Sequence, residues 1–149
     1  MGKDEFSNVA VLRSFSKAYG LAGLRVGYGV ASPSVIEAAK KVALTFGVTD
    51  LAEEAALASF ARDSELQARV NEVVQERERV VAELKIQGWD VPEAQGNFVW
   101  LNLGARAEEF ALVCEEVGLS VRVFPDHGVL ITIGTPTANT RFLAVCKQY

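Results

Sequence analysis

Cysteine and histidine are scarce: the 149 residues hold two cysteines, Cys114 and Cys146, and a single histidine, His127. The cysteines lie far apart within helix-like patterns, which argues for reduced core thiols and against a disulfide framework. No Cys or His pair stands at metal-ligand spacing, so a zinc centre is not expected. No apolar run approaches bilayer-spanning length, and the N-terminus lacks a signal-peptide pattern. No basic run offsets the formal net charge of −4, which argues against non-specific nucleic-acid binding. Internal repeats and low-complexity tracts are likewise missing. What is there is ordinary globular material, 50% hydrophobic and 23% charged. It is enough for one good core, or one small domain plus a piece of another, in a cytoplasmic setting.

The chain is organised around residues 8–31. Val9 to Leu12 is an apolar run suited to a buried strand. It gives way to Arg13-Ser14-Phe15-Ser16-Lys17, where hydroxyls and an amine replace aliphatic side chains. A glycine-rich passage from Gly20 to Gly29 follows. Polar groups at the end of a buried strand are a usual way for an α/β sheet to present chemistry. If strand geometry persists through Ser16, Ser14 and Ser16 share one face and Lys17 takes the other. Two hydroxyls with Arg25 make a phosphate or oxyanion site, the guanidinium giving a bidentate grip. A lysine amine beside apolar walls suits Schiff-base chemistry. On spacing alone, the same residues also read as an ordinary strand, an exposed lysine and a glycine loop.

Two other motifs fail on inspection. Ser14-Phe15-Ser16-Lys17 contains the Ser-x-x-Lys of penicillin-recognising acyl enzymes, but their Ser-Asp-Asn and Lys-Thr-Gly elements are missing. Gly20, Gly23 and Gly27 have the wrong spacing for a dinucleotide fingerprint, so NAD binding is not expected.

The gap-free segment Arg13-Ser-Phe-Ser-Lys-Ala-Tyr-Gly-Leu-Ala-Gly-Leu-Arg-Val-Gly-Tyr28 closely resembles the lysine-bearing segment of class I/II pyridoxal-phosphate aminotransferases. The resemblance is greatest to the histidinol-phosphate aminotransferase group. It implies an α/β fold: the small C-terminal domain of a fold-type I enzyme plus the tail of its large-domain sheet. It further implies that Lys17 is catalytic and attaches pyridoxal 5'-phosphate, with Ser14, Ser16 and Arg25 holding the cofactor's phosphate. The partners would be a small-molecule amino donor and a 2-oxo acid acceptor, and the longer protein would be a homodimer. Such enzymes place most of their cofactor domain before the lysine. The chain is therefore expected to be the C-terminal portion of a longer protein, with negligible activity alone. Residues 1–7 read as an appended leader, 8–62 as the tail of the large domain, and 63–149 as the small domain. A non-transaminating enzyme of the same fold, such as an amino-acid phosphate decarboxylase, and a non-catalytic fragment are the alternatives.

Strands are expected over 8–14 and 25–31. A helix capped by Ser32, or by Ser34 with Glu37, should run to about Phe46. An alanine-rich helix should open at Thr49-Asp50, and a longer one at Asp63 or Ser64. In the latter, Leu66, Val70, Val73, Val74, Val80, Val81 and Leu84 form the apolar face, while residues 75–79 read as the solvated side. Strands over 98–103, 120–124 and 129–133, a helix over 105–117 and a final helix from Pro136 complete the pattern.

Three positions in this second half bear on a substrate. Asn97 in Gly96-Asn97-Phe98-Val99 resembles the family's Asn-Phe-Val strand entrance, which would place it beside the substrate. Without the resemblance it reads as a turn residue. Arg122 in Val121-Arg-Val-Phe124 is similar to the family's Val-Arg-Pro-Phe, whose arginine contacts the distal group of histidinol phosphate. Alternation with valines fits the solvent side of a strand equally well. Leu130 departs from the pattern, because relatives usually have there the arginine that grips the substrate carboxylate. Either Arg141 or another group substitutes, or the transaminase function is altered, or this position was changed. His127 reads as a turn residue.

Overall fold

The computed structural model describes residues 8–149, so the expected leader at 1–7 lies outside the described residues. They form two compact units, one ending at Arg69 and the other running from Val70 to Tyr149. The division falls inside helix α3 (Asp63–Ile86) and not at its start.

In the first unit, β1 (Ala10–Ser14) pairs antiparallel with β2 (Gly27–Ala31), in register from Ala10↔Ala31 to Ser14↔Gly27. The expectation of a buried strand fails here. Every β1 residue is exposed, Leu12 by 82%. The physical reason is that β1 has a single ladder partner among the described residues, and a two-stranded ribbon has too little surface to bury its own apolar side chains. Helix α1 (Pro33–Val42) takes Ser32 as its N-cap and Pro33 as its first residue, which rules out the Ser34 capping box. It ends before Phe46 because Ala43 turns extended (φ −67°, ψ 143°) and Phe46 itself has φ 57°. Helix α2 (Asp50–Phe60) starts where expected, the Thr49 hydroxyl accepting the Ala52 N–H at 3.2 Å.

The second unit is built on an antiparallel sheet of order β3-β5-β4, comprising β3 (Phe98–Asn102), β4 (Arg122–Phe124) and the central β5 (Gly128–Thr132). Strand β4 starts later and β5 one residue earlier than the sequence pattern predicts. Alternation sends Val99, Leu101, Val129 and Ile131 to one face, all buried. Against them pack Val80 and Leu84 of α3, Phe110 and Cys114 of α4 (Ala107–Glu116), and Phe142 and Cys146 of α5 (Pro136–Gln148). Phe110 is fully buried, edge-on to Tyr149 at 5.0 Å and to Trp89 at 6.0 Å. Helix α5 begins as read, with the Thr135 hydroxyl accepting the Ala138 N–H.

Two details differ from the expected helices. Val117 is 40% exposed, because α4 ends one residue before it. The stretch 75–79 is not simply the solvated side of α3, since Arg77 is buried beside Val80 and Leu84. Positions 77, 80 and 84 recur at three and four, so the helical period itself carries Arg77 inward.

Candidate active site

The turn between β1 and β2 is anchored by the side chain of Phe15, which is only 2% exposed. Its ring lies 4.5 Å from Tyr19 and stands edge-on to Phe60 at 5.1 Å. Its N–H donates to Val26 O at 3.1 Å, and its carbonyl accepts the Leu21 N–H at 2.9 Å. Burying the Phe15 ring contributes on the order of 1.5–3 kcal/mol, enough to hold a short irregular segment in one shape. Strand geometry therefore ends at Ser14, and the simple two-faced alternation through Ser16 does not persist. The chain bends at Phe15 and closes a turn in which Gly20 N–H donates to Lys17 O at 3.0 Å.

This turn carries all four residues singled out in the first half. Ser14 is the last residue of β1, and its Oγ accepts the Ser16 N–H at 3.0 Å, tying the two serines together. Lys17 follows on the exposed outside of the bend, and its amine makes no hydrogen bond among the described residues. Arg25 lies after a single helical turn over Ala22–Leu24, with its backbone left-handed at φ 53°. Its Nη1 donates to Ala22 O at 2.7 Å, and no hydrogen bond links it to either serine among the described residues. A non-glycine residue in this region is uncommon and costs on the order of 1 kcal/mol. Gly27 is required for the ribbon to close, because a Cβ there would sit 2.5 Å from Arg13 O.

The second unit carries Asn97 and Arg122. Asn97 immediately precedes β3, is half-buried, and accepts the Ile133 N–H on its carbonyl at 2.9 Å. Arg122 opens β4 directly opposite Leu130, on the sheet face that turns away from the core. Trp100 lies opposite Leu130 on the other side of β5. The Arg122 guanidinium sits 4.9 Å over the Phe124 ring, and Trp100 meets that ring edge-on at 5.5 Å. The sequence reading missed Trp100 and Phe124, although their alternation with Phe98 and Arg122 would have found them. Arg141 is already engaged, donating Nη1 to Val117 O at 3.2 Å beyond the end of α4. His127 is a turn residue whose N–H donates to Phe124 O at 3.0 Å.

Residues 1–146 match the family model described as aminotransferase class I and II. The aromatic amino acid aminotransferase of Streptomyces avermitilis is 53% identical over 145 residues, covering 97% of this chain and 40% of its own. The protein of the same name from Thermobifida fusca is 51% identical over 142 residues, covering 95% and 40%. Among solved structures, histidinol-phosphate aminotransferase from Sinorhizobium meliloti in complex with pyridoxal-5'-phosphate matches with a TM-score of 0.76 at 27% identity. That match covers 95% of this chain and 41% of the other. The chain thus spans about 40% of the length of the curated relatives it matches. Class I and II aminotransferases depend on pyridoxal phosphate, and this chain belongs to that family.

Proposed function

We propose that this chain is the C-terminal portion of a pyridoxal-phosphate-dependent aminotransferase, homodimeric when whole, that moves an amino group between an amino acid and a 2-oxo acid. The observation that supports the reading is the β1–β2 turn, which bears one amine, two hydroxyls and one guanidinium along its length in a chain that matches the family. This donor chemistry fits a phosphorylated aldehyde. Lys17, free of hydrogen bonds among the described residues, would attach the cofactor. The Ser14 and Ser16 hydroxyls would donate to its phosphate, and Arg25 would complete the grip. Bound pyridoxal phosphate supplies an electron sink for the pair released when a substrate α C–H bond breaks. The Lys17 amine, displaced by substrate, would take up that proton and return it as general base and then acid.

For the amino donor, an aromatic amino acid is the first reading and histidinol phosphate the second. The names of the relatives at 51–53% identity favour the former. The aromatic pair Trp100 and Phe124 beside an apolar Leu130 is consistent with it. Leu130 also favours a further reading, a non-transaminating enzyme of the same fold, since it lacks the charge that the resemblance assigns to a carboxylate grip. A cytoplasmic setting suits the two free, buried thiols.

Titrating the longer protein with pyridoxal phosphate tests the assignment. A visible absorbance band should form and disappear in Lys17→Ala. Turnover with phenylalanine should exceed that with histidinol phosphate by about tenfold in kcat/KM, about 1.4 kcal/mol. A band that survives the substitution would contradict the role of Lys17, and the reverse preference would favour histidinol phosphate.

A further inference from the structure

Asn97 has a fixed backbone and an unspent side chain. Its own carbonyl accepts the Ile133 N–H at 2.9 Å, and the preceding carbonyl, Gly96 O, accepts from Arg77 Nη1 at 2.9 Å. The two peptides flanking the Asn97 Cα are therefore each held, the one before it from α3 and the one after it from the residue following β5. Gly96 adds a steric constraint, because a Cβ there would meet the folded-back Phe98 ring at 2.8 Å. The Asn97 carboxamide, by contrast, is half-buried and makes no hydrogen bond among the described residues.

Arg77 is an expensive way to hold a loop. It is 8% exposed and joins no ion pair among the described residues. It occupies the same helical stripe as Val80 and Leu84, where an aliphatic side chain would pack without desolvating a charge. A charged donor retained in such a place points to a requirement on the group it holds. A guanidinium fixes a carbonyl more strongly than a neutral donor does.

We infer that Arg77 is a positioning residue. By binding Gly96 O it fixes the Gly96–Asn97 peptide and so presents the Asn97 carboxamide in one orientation toward the substrate. This rests on the reading of Asn97 as a substrate-side residue. Arg77 touches no substrate itself and acts through Asn97.

The test uses the 149-residue chain, with site-resolved amide hydrogen exchange and urea unfolding of Arg77→Met, Arg77→Lys and Asn97→Ala. In Arg77→Met the Ile133 amide should exchange about tenfold or more faster, while Val129 and Ile131 in the same strand keep their protection. The Asn97 side-chain amide signals should move toward those of free asparagine. Arg77→Lys, which keeps one charged donor, should recover most of the Ile133 protection. If Arg77→Met does not fold, Arg77→Leu, which also lacks a donor, carries the same comparison. Asn97→Ala should leave both the urea midpoint and Ile133 protection unchanged, as expected for a side chain the fold does not use. Uniformly faster exchange across β5, or no change at Ile133, would overturn the positioning role. A lowered urea midpoint in Asn97→Ala would instead overturn the reading of Asn97, with the Arg77 contact intact.

Discussion

Arg122 and Leu130 are direct partners in the β4–β5 ladder, side by side on the sheet face opposite the core. Residues paired across an antiparallel ladder have Cβ atoms about 5 Å apart, so a long side chain on one readily covers the other. The positive charge that the resemblance leads one to expect at 130 is therefore present one strand over, stacked on Phe124.

This arrangement predicts that Arg122 supplies the anion grip in the longer enzyme. Arg122→Ala should raise KM for the amino donor by about tenfold or more, about 1.4 kcal/mol, with a smaller effect on kcat. Arg122→Lys should recover only part of the loss, since an ammonium cannot reproduce a bidentate contact. Steady-state kinetics on both variants check this, and an unchanged KM in Arg122→Ala would show that the carboxylate is held elsewhere.

Alkaline pH should destabilise the second unit through its thiols. Burial pushes Cys114 up to about 11; burial, with the neighbouring Cys114, pushes Cys146 up to about 12. In the unfolded chain a thiol titrates near pH ~8.5, so above that the unfolded state has lost protons the folded state retains. Their contribution to stability is complete below about pH 8.5. It falls as pH rises toward the folded values, by at most about 1.4 kcal/mol per pH unit for each cysteine. Urea midpoints at about pH 8 and about pH 10.5 measure the slope. A Cys114→Ala/Cys146→Ala double variant should be less stable throughout but show a flatter dependence.

Asn139 joins α5 to α3 and to the entry of its own helix. It is 3% exposed, and its Nδ2 donates to Glu76 Oε1 at 2.9 Å and to Gly134 O at 3.1 Å. Its Oδ1 accepts the Gly134 N–H at 3.0 Å. Asn139→Ala leaves the Gly134 N–H and carbonyl without these partners, removes one of two donors to Glu76 Oε1, and should cost about 1–3 kcal/mol by urea unfolding. The hydrogen bonds from Arg79, and secondarily from Asn139, hold the Glu76 carboxyl below its ordinary range against the opposing effect of burial. Its contribution is therefore present above the ordinary carboxylate pKa and lost as pH falls through the lowered folded value. Glu76→Gln should remove that part of the acid dependence, and an unchanged acid slope would show that the network carries no charge-dependent stability.

The chemistry-bearing turn was legible because its residues are contiguous. Ser14, Ser16, Lys17 and Arg25 all lie on one hairpin, and the flanking strands pair almost where their apolar runs lie. The helix starts at Thr49-Asp50 and Pro136 were legible for the same local reason. What escaped was non-local. The exposure of β1 follows from its having one ladder partner among the described residues, which no run of valines can express. Arg77 read as surface because its type outweighed its period, while its partner Gly96 lies 19 residues away. Trp100 joins Arg122 and Leu130 only through the register of two ladders that the sequence does not number.

If Lys17 carries the cofactor chemistry, replacing that one residue in the longer aminotransferase abolishes the reaction. Transamination should fall to background in Lys17→Ala, while pyridoxal phosphate remains noncovalently bound through Ser14, Ser16 and Arg25. Measured turnover near that of the unmodified enzyme in Lys17→Ala would contradict the account.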